Sequence, residues 1–431
     1  MTVAGPQNVA IQRTTAARMS ALDAAASSLA VSNRTEQGPQ TGSLNARLLA
    51  FYLPQFHPIP ENDKWWGPGF TEWTTVARAR PLFTGHYQPR LPADLGFYDL
   101  RVPEVREQQA ELARAAGIEG FVYYHYWFGD GRRLLERPFT EVVSSGTPKF
   151  PFCLCWANES WSGVWHGAPD RVLAEQTYPG REDNRKHFFA LLDAFGDERY
   201  VRVDGKPIFI VYRPHELKDR AAFIEQWREL AAKNGLPGFH FVALLLPHEL
   251  GWNHREDGFD GALISNTFKG YIRGQRYILY RRLARRGLSR RAYADALMTY
   301  VRNQSSYRLR KLGGCFTNVI NYADAMTFFL DEDIHDDDKY ACVIPNWDNT
   351  PRSGERGVVL HNSTPALFRK HLHEAVSAAA TRPLDRRIVF VKSWNEWAEG
   401  NYLEPDQRFG HEYLNAVRDV LTDPTLACGA R

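Results

Sequence analysis

Two glutamates three residues apart, Glu396 and Glu399, lie in the segment RIVFVKSWNEWAEGNYLEPD, Arg387 to Asp406. Trp394, Asn395, Trp397 and Glu404 surround them, so three carboxylates and two indoles fall within eleven residues. Such a stretch is poor packing material but suits acid–base work. In a shared apolar hollow, burial and its neighbour's charge keep one carboxyl protonated while the other stays ionised. A spacing of three is short for two groups facing each other across separate strands. The chain must therefore turn sharply after Glu396, and Gly400 is placed to allow it. The competing reading is a surface loop whose acidic side chains pair with Arg or Lys, or cap the last helix.

The element that must position the pair is the apolar run Ile388–Val391, long enough for one buried strand. In α/β proteins the carboxyl ends of parallel strands are where chemistry is kept. Seven further runs of the same kind precede it: Leu48–Leu53, Gly120–Trp127, Phe152–Ala157, Ile208–Tyr212, Phe241–Leu246, Ala262–Ser265 and Ala341–Pro345. Most are continuously apolar rather than alternating, as in parallel strands covered on both faces. Helices are predicted over Val102–Ala116, Leu134–Ser144, Glu182–Ala194, Asp219–Asn234, Ser363–Ala379 and Glu412–Leu421. Pro103 and Gly117 bracket the first of these, and Asn234-Gly235 closes the fourth, as capping chemistry expects. Eight strands alternating with helices predict an α/β fold, a (β/α)8 TIM barrel with long insertions after strands 1 and 6. A doubly wound open sheet is the alternative. The barrel requires polar residues at nearly every strand end to converge, and the sequence supplies them. They are Gln55 and His57 at strand one, with Tyr52 a further candidate sugar contact, then Tyr124, His125 and Tyr126 at strand two. Trp156, Asn158 and Glu159 follow strand three, Tyr212-Arg213 ends strand four and His248-Glu249 strand five. Asn346, Trp347 and Asp348 follow strand seven, and the Glu pair follows strand eight.

Bulk properties bound the rest. A 431-residue chain with 44% hydrophobic and 24% charged residues is an ordinary globular composition, and a net charge of +3 names no partner. Five cysteines, Cys153, Cys155, Cys315, Cys342 and Cys428, show no zinc spacing. They read as buried free thiols in a reducing, cytoplasmic setting. No apolar run reaches the length of a membrane span, and the Ala/Ser/Thr/Gln-rich residues 1–45 lack the apolar core of a secretory signal. That stretch is expected to be a disordered extension, with a short helix around Ala16–Val31, preceding a single catalytic domain over 46–422. The insertion after strand one, Pro54 to Asp99, carries Trp66, Glu72 and Trp73 and is expected to wall the pocket. Within a second insertion, 268–340, residues Lys269 to Lys311 hold 13 Lys/Arg against one acid, Asp295. That charge reads first as a solvated helix face, with peripheral contact to an anionic glycan or lipid as the alternative. No nucleic-acid partner is expected. The acidic run Asp331–Asp338 reads as a solvated loop rather than a metal and nucleotide-sugar site, because no Gly-rich phosphate loop accompanies it. No cofactor and no metal are expected.

Paired carboxylates among Trp and Tyr are what cleavage of a glycosidic bond requires, since aromatic rings commonly stack on sugars. The segment WNEWAEGNYLEPD closely resembles the NEWxEGxxxEP signature of the glycoside hydrolase family 99 endo-α-mannosidases and endomannanases. From Leu49 to Tyr413, about 85% of the chain resembles the related WbsX-type proteins of bacterial polysaccharide gene clusters. The matching stretches begin at Ala50–Phe83, His86–Arg101, Gly120–Phe128, Phe150–Trp161, Val203–Pro214 and Pro345–Arg352. The resemblance implies a (β/α)8 barrel and an oligo- or polysaccharide substrate. It further implies that Glu396 acts as base on the sugar's own 2-hydroxyl, which attacks C1, while Glu399 protonates the leaving oxygen. Glu404 would bind or orient. Ala398 stands where family 99 commonly has His, so a subsite contact is expected to differ and mannose specificity does not carry over. Three functions remain open: a retaining hydrolase or transglycosylase, a glycosyltransferase of lipopolysaccharide or exopolysaccharide assembly, and a non-catalytic carbohydrate-binding barrel.

Overall fold

The computed structural model describes residues 44–163, 168–246, 249, 251–265, 317–330 and 332–427, with 168–171, 332–333 and 427 described by backbone alone. The predicted helix at 16–31, His248, the basic stretch 269–311, Cys315, Cys428 and Asp331 lie outside the described residues.

Eight parallel strands close on themselves. They are β1 (Arg47–Tyr52), β2 (Gly120–Trp127), β3 (Phe152–Trp156), β4 (Lys206–Val211), β5 (His240–Leu245), β6 (Gly261–Ile264), β7 (Lys339–Val343) and β8 (Ile388–Val391). Each pairs with the next, and β8 pairs back onto β1 with Arg47 opposite Ile388 and Ala50 opposite Val391. Closure excludes the open doubly wound sheet, whose end strands would stay unpaired. All four residues of β8 are fully buried, as a strand covered by side chains inside and helices outside must be.

The outer layer includes α1 (Pro103–Ala115), α2 (Arg137–Ser145), α3 (Arg181–Ala190), α4 (Arg220–Lys233), α5 (Pro365–Ala379) and α6 (Glu412–Leu421). The predicted third helix is split: α3 ends at Ala190 and a separate one-turn helix, Leu192–Gly196, follows. Strand alternation sorts side chains between layers. Phe51, Tyr124 and Phe390 meet inside the barrel, at ring distances of 5.3 and 6.1 Å from Phe51. Tyr52 points the other way and donates to Gln109 Oε1 on α1 at 2.6 Å. Cys153, Cys155 and Cys342 are free and buried.

The insertion after β1 is not purely a loop. It holds two short helices, Pro60–Trp66 and Glu72–Arg78, the second closed by a reciprocal Thr71/Thr74 capping arrangement. Among the described residues no helix is long and apolar enough to cross a membrane.

Candidate active site

Beyond β8 the backbone does what the spacing demanded. Asn395–Glu396 pairs antiparallel with Asn401–Tyr402, and a single 3-10 turn, Trp397–Glu399, joins them. Gly400 closes the turn at φ 55°, the left-handed region that favours glycine. A Cβ there would lie 2.8 Å from Asp348 Cβ and 3.0 Å from its backbone nitrogen. Asp348 N–H in turn donates to the Glu399 carbonyl at 2.6 Å. The segment after β7 is thus locked against the turn, and both glutamate side chains are held 4% and 6% exposed.

The two carboxyls share one electrostatic neighbourhood. Arg352, from the short helix Thr350–Ser353, donates to Glu399 Oε1 at 2.8 Å and to Glu72 Oε1 at 2.7 Å. Glu72 Oε1 also accepts from Ala398 N–H at 3.0 Å, so the insertion after β1 reaches the turn that carries the pair. Burial alone would raise Glu396. The Lys392 ammonium, a hydrogen bond with Glu399, Arg352 and the Tyr124 hydroxyl outweigh it and hold Glu396 below the ordinary glutamate range. Glu399 goes the other way. Burial and the Glu396 charge push it well up against the pull of Arg352 and Lys392. Near neutrality one carboxylate and one carboxylic acid stand side by side, an arrangement fit for proton acceptance and donation in one step.

Three buried groups hold this turn in place. Glu404 accepts from Trp397 Nε1–H at 2.6 Å, Gln109 Nε2–H at 2.6 Å and the Tyr98 hydroxyl at 2.9 Å. Burial against those donors pushes its carboxyl up to about 7. Asn395 bonds both backbone groups of Leu53, at 2.7 and 3.1 Å, fastening the end of β8 to the end of β1. Asp348 Oδ2 accepts from His86 Nε2 at 2.7 Å and Gln88 Nε2 at 2.8 Å, and Oδ1 from the Thr350 hydroxyl at 2.6 Å. His86 Nδ1 already accepts from Leu82 N–H at 3.0 Å, which fixes the proton on Nε2.

Of the residues singled out from sequence, the structure brings Tyr124, Tyr126 and Glu72 to the pair; burial, then the Glu396 charge, raises both tyrosines. Others are carried elsewhere by alternation. His125 faces outward, its Nε2 2.8 Å from His187 Nε2 on α3, both rings held neutral by burial. Trp156 also faces outward, donating to the Trp127 carbonyl and packing on Phe223 and His187. Trp394 and Trp397 are at most 1% exposed, and Trp397 stacks on Tyr402 at 3.8 Å. They brace the turn instead of offering a face. Trp73 is buried among Phe56, Tyr98 and Trp397, while Trp66 is half-buried beside Phe70. His57 is buried in the surroundings of Asp99 and Arg101, and Asn346 accepts from Tyr402 N–H at 3.1 Å.

Asn158 ties β3 to β4 by accepting from Arg213 N–H and donating to the Arg213 carbonyl, both at 2.8 Å. Glu159 pairs with the Arg213 guanidinium at 2.9 Å. Both line a cavity of about 430 Å3 over the carboxyl ends of β3, β4 and β5, with Tyr178, His215 and Glu249. Asp336–Asp338 lie at the opposite, amino-terminal end of the barrel strands, immediately before β7, where Asp338 pairs with Arg255 at 2.5 Å. Among the described residues no cluster of His, Cys, Asp and Glu is arranged to hold a metal ion. Sequence reasoning missed Arg352 and Lys392. The first closes the matched PNWDNTPR stretch and the second directly follows the β8 apolar run. Both gain meaning only from what the fold sets opposite them.

The profile of the family described as Glycosyltransferase WbsX matches residues 48–417. The chain belongs to the WbsX family. The family's description names a glycan-related activity. Two relatives named "Uncharacterized protein WxcX", from two strains of Xanthomonas campestris pv. campestris, are 38% identical over 400 residues, 91% of this chain and 52% of theirs. The chain thus spans about half the length of the curated relatives it matches. Among solved structures, a glycoside hydrolase-like protein is similar at 14% identity and TM-score 0.50, over 87% of this chain and 94% of that one. A GH99 endo-alpha-mannosidase from Bacteroides thetaiotaomicron is similar at 15% identity and TM-score 0.46, over 89% and 99%. At such identities the likeness to the first is one of fold.

Proposed function

We propose that this WbsX protein is a retaining glycoside hydrolase or transglycosylase acting on a bacterial oligo- or polysaccharide. The observation that carries the reading is two buried carboxyls on one turn at the carboxyl end of the barrel, Glu399 bonded to Arg352 and Glu396 with an oxygen that no described residue hydrogen-bonds. The directions in which their surroundings move them, Glu396 downward and Glu399 upward, support it. In the first step the Glu396 carboxylate takes the proton of the sugar's 2-hydroxyl, and O2 attacks C1. The bond from C1 to the leaving oxygen breaks as Glu399 gives that oxygen its proton. In the second step water, or a hydroxyl of another glycan, attacks C1 and opens the 1,2-anhydro ring. Glu399 takes the attacker's proton, and Glu396 returns its own to O2. Two displacements at C1 retain configuration and restore both carboxyls to their starting states. Because O2 rather than a protein atom is the nucleophile, the two groups need not straddle the ring as an ordinary retaining pair does.

The family description supports a second reading, a glycosyltransferase of polysaccharide assembly. One experiment separates them: the protein and its Glu396→Gln and Glu399→Gln variants are incubated with defined glycans and nucleotide sugars, and products are read by mass spectrometry. Cleavage or transfer from a plain glycan, abolished in both variants, supports the first reading. Turnover of a nucleotide sugar that survives both substitutions supports the second. Glycan binding without turnover would leave a binding barrel.

A further inference from the structure

Lys392 is the inward residue immediately after β8, its N–H bonded to the Val343 carbonyl at 3.0 Å. Its side chain is 8% exposed. Among the described residues no oxygen accepts a hydrogen bond from its ammonium, and no carboxylate is in ion-pair contact with it. Its neighbours are ring faces, Tyr212 at 5.6 Å and Trp347 at 5.8 Å. Tyr212 lies 6.1 Å from the Tyr124 ring, and Tyr124 in turn adjoins Glu396, whose Oε2 atom is buried with no hydrogen-bond partner among the described residues. A buried carboxylate oxygen left so needs a compensating charge. Arg352, the other cation beside the pair, is half-buried and bound on both sides by Glu72 and Glu399.

We infer that Lys392 is a positioning residue that assigns the base role to Glu396, acting as its through-space counter-charge rather than as a contact. This rests on the reading of the pair proposed above. Charge counting around Glu396 supports it. Glu72 comes from the insertion after β1 and Arg352 from the segment after β7; Lys392 and Glu399 share the β8 strand end with Glu396. Tyr124 and Tyr126 on β2, Cys155 on β3 and Cys342 on β7 are kept neutral, because burial pushes each of them up. Lys392 pulls Tyr212, at the end of β4, downward, but burial and the nearby carboxylates still hold it up at about 12. With Glu399 protonated, two carboxylates and two cations balance. Without Lys392 one negative charge is in excess. Burial raises Glu72 as well, but its Oε1 keeps the Arg352 and Ala398 N–H donors, whereas Glu396 Oε2 has no hydrogen-bond partner among the described residues, so Glu396 is the group that takes the proton.

The test is a carboxyl titration of the full-length protein labelled with 13Cδ-glutamate, assigned through Glu396→Gln and Glu399→Gln. In Lys392→Met the Glu396 midpoint is expected to rise by at least about one pH unit, a tenfold gain in proton affinity. The acid limb of kcat/KM should move with it, and Lys392→Arg should restore most of both. A Glu396 midpoint that stays put in folded Lys392→Met overturns the inference. If that variant does not fold, the wild-type Lys392 15Nζ resonance decides: it should report the titration of Glu396, and a flat response overturns the proposal. The titration needs no turnover, so an inactive pair with a moved midpoint would sink the enzymatic reading while leaving the counter-charge intact.

Discussion

At the scale of single residues, the proposed function comes down to two glutamates made unequal by their surroundings. Burial acts on both, yet Glu396 has a free ammonium nearby and Glu399 has a negative neighbour. Replacing either by Gln keeps its shape and removes the proton traffic. Each variant should lose at least about a hundredfold in turnover, the usual scale for a general acid or base. The pH dependence has a fixed sign. Glu396 must be ionised, and its proton affinity is depressed, so activity falls only below the ordinary glutamate range. Glu399 must be protonated, and its affinity is raised, so activity falls on the alkaline side above that range. A pH–kcat/KM profile should therefore be a bell, and Glu399→Gln should lose the alkaline limb. The pair itself was legible in the sequence because carboxylates and indoles at a strand end are poor core material. Arg352 and Lys392 were not, since an isolated basic residue in a sequence does not announce which carboxylate it will meet.

At the scale of elements, the site depends on a one-turn hairpin and its fasteners. Gly400→Ala puts a side chain into a left-handed position and against the Asp348 backbone. The expected cost is about 2 kcal/mol, read as a lowered melting temperature, with turnover falling far more than stability because the Glu399 side chain rides on that turn. Asn395→Ala strips both partners from Leu53 and should destabilise by about 1–3 kcal/mol, measured by denaturant unfolding. His125 belongs to a different layer. Removing it with His125→Phe leaves His187 unpartnered and should lower stability while turnover per folded molecule stays unchanged. A hundredfold loss of turnover there would contradict the outward placement. Strand existence and order could be read from continuous apolar runs, and all eight expected runs are strands. Which face a polar residue takes could not: Tyr124 and Tyr126 turn in, while Tyr52, His125 and Trp156 turn out. Register decides that, and register is set by pairing across the sheet.

For the whole molecule, barrel closure gathers strand ends from across the chain, so Glu72, Tyr124, Arg352 and Glu396 meet although 324 positions separate the first from the last. The Asp336–Asp338 run lies at the opposite end of the same strands, remote from this meeting point. In the proposed mechanism acid and base are both carboxyl groups, so a chelator is expected to leave turnover unchanged; activity restored specifically by Mn2+ would favour the nucleotide-sugar reading. The most direct measurement of the central claim is leaving-group dependence. With glycosides of increasingly acidic leaving groups, Glu399→Gln should recover turnover while Glu396→Gln should not, because a departing group that needs no proton makes the acid dispensable and the base indispensable. Recovery in Glu396→Gln instead, or full activity in either variant on natural glycan, would contradict the account.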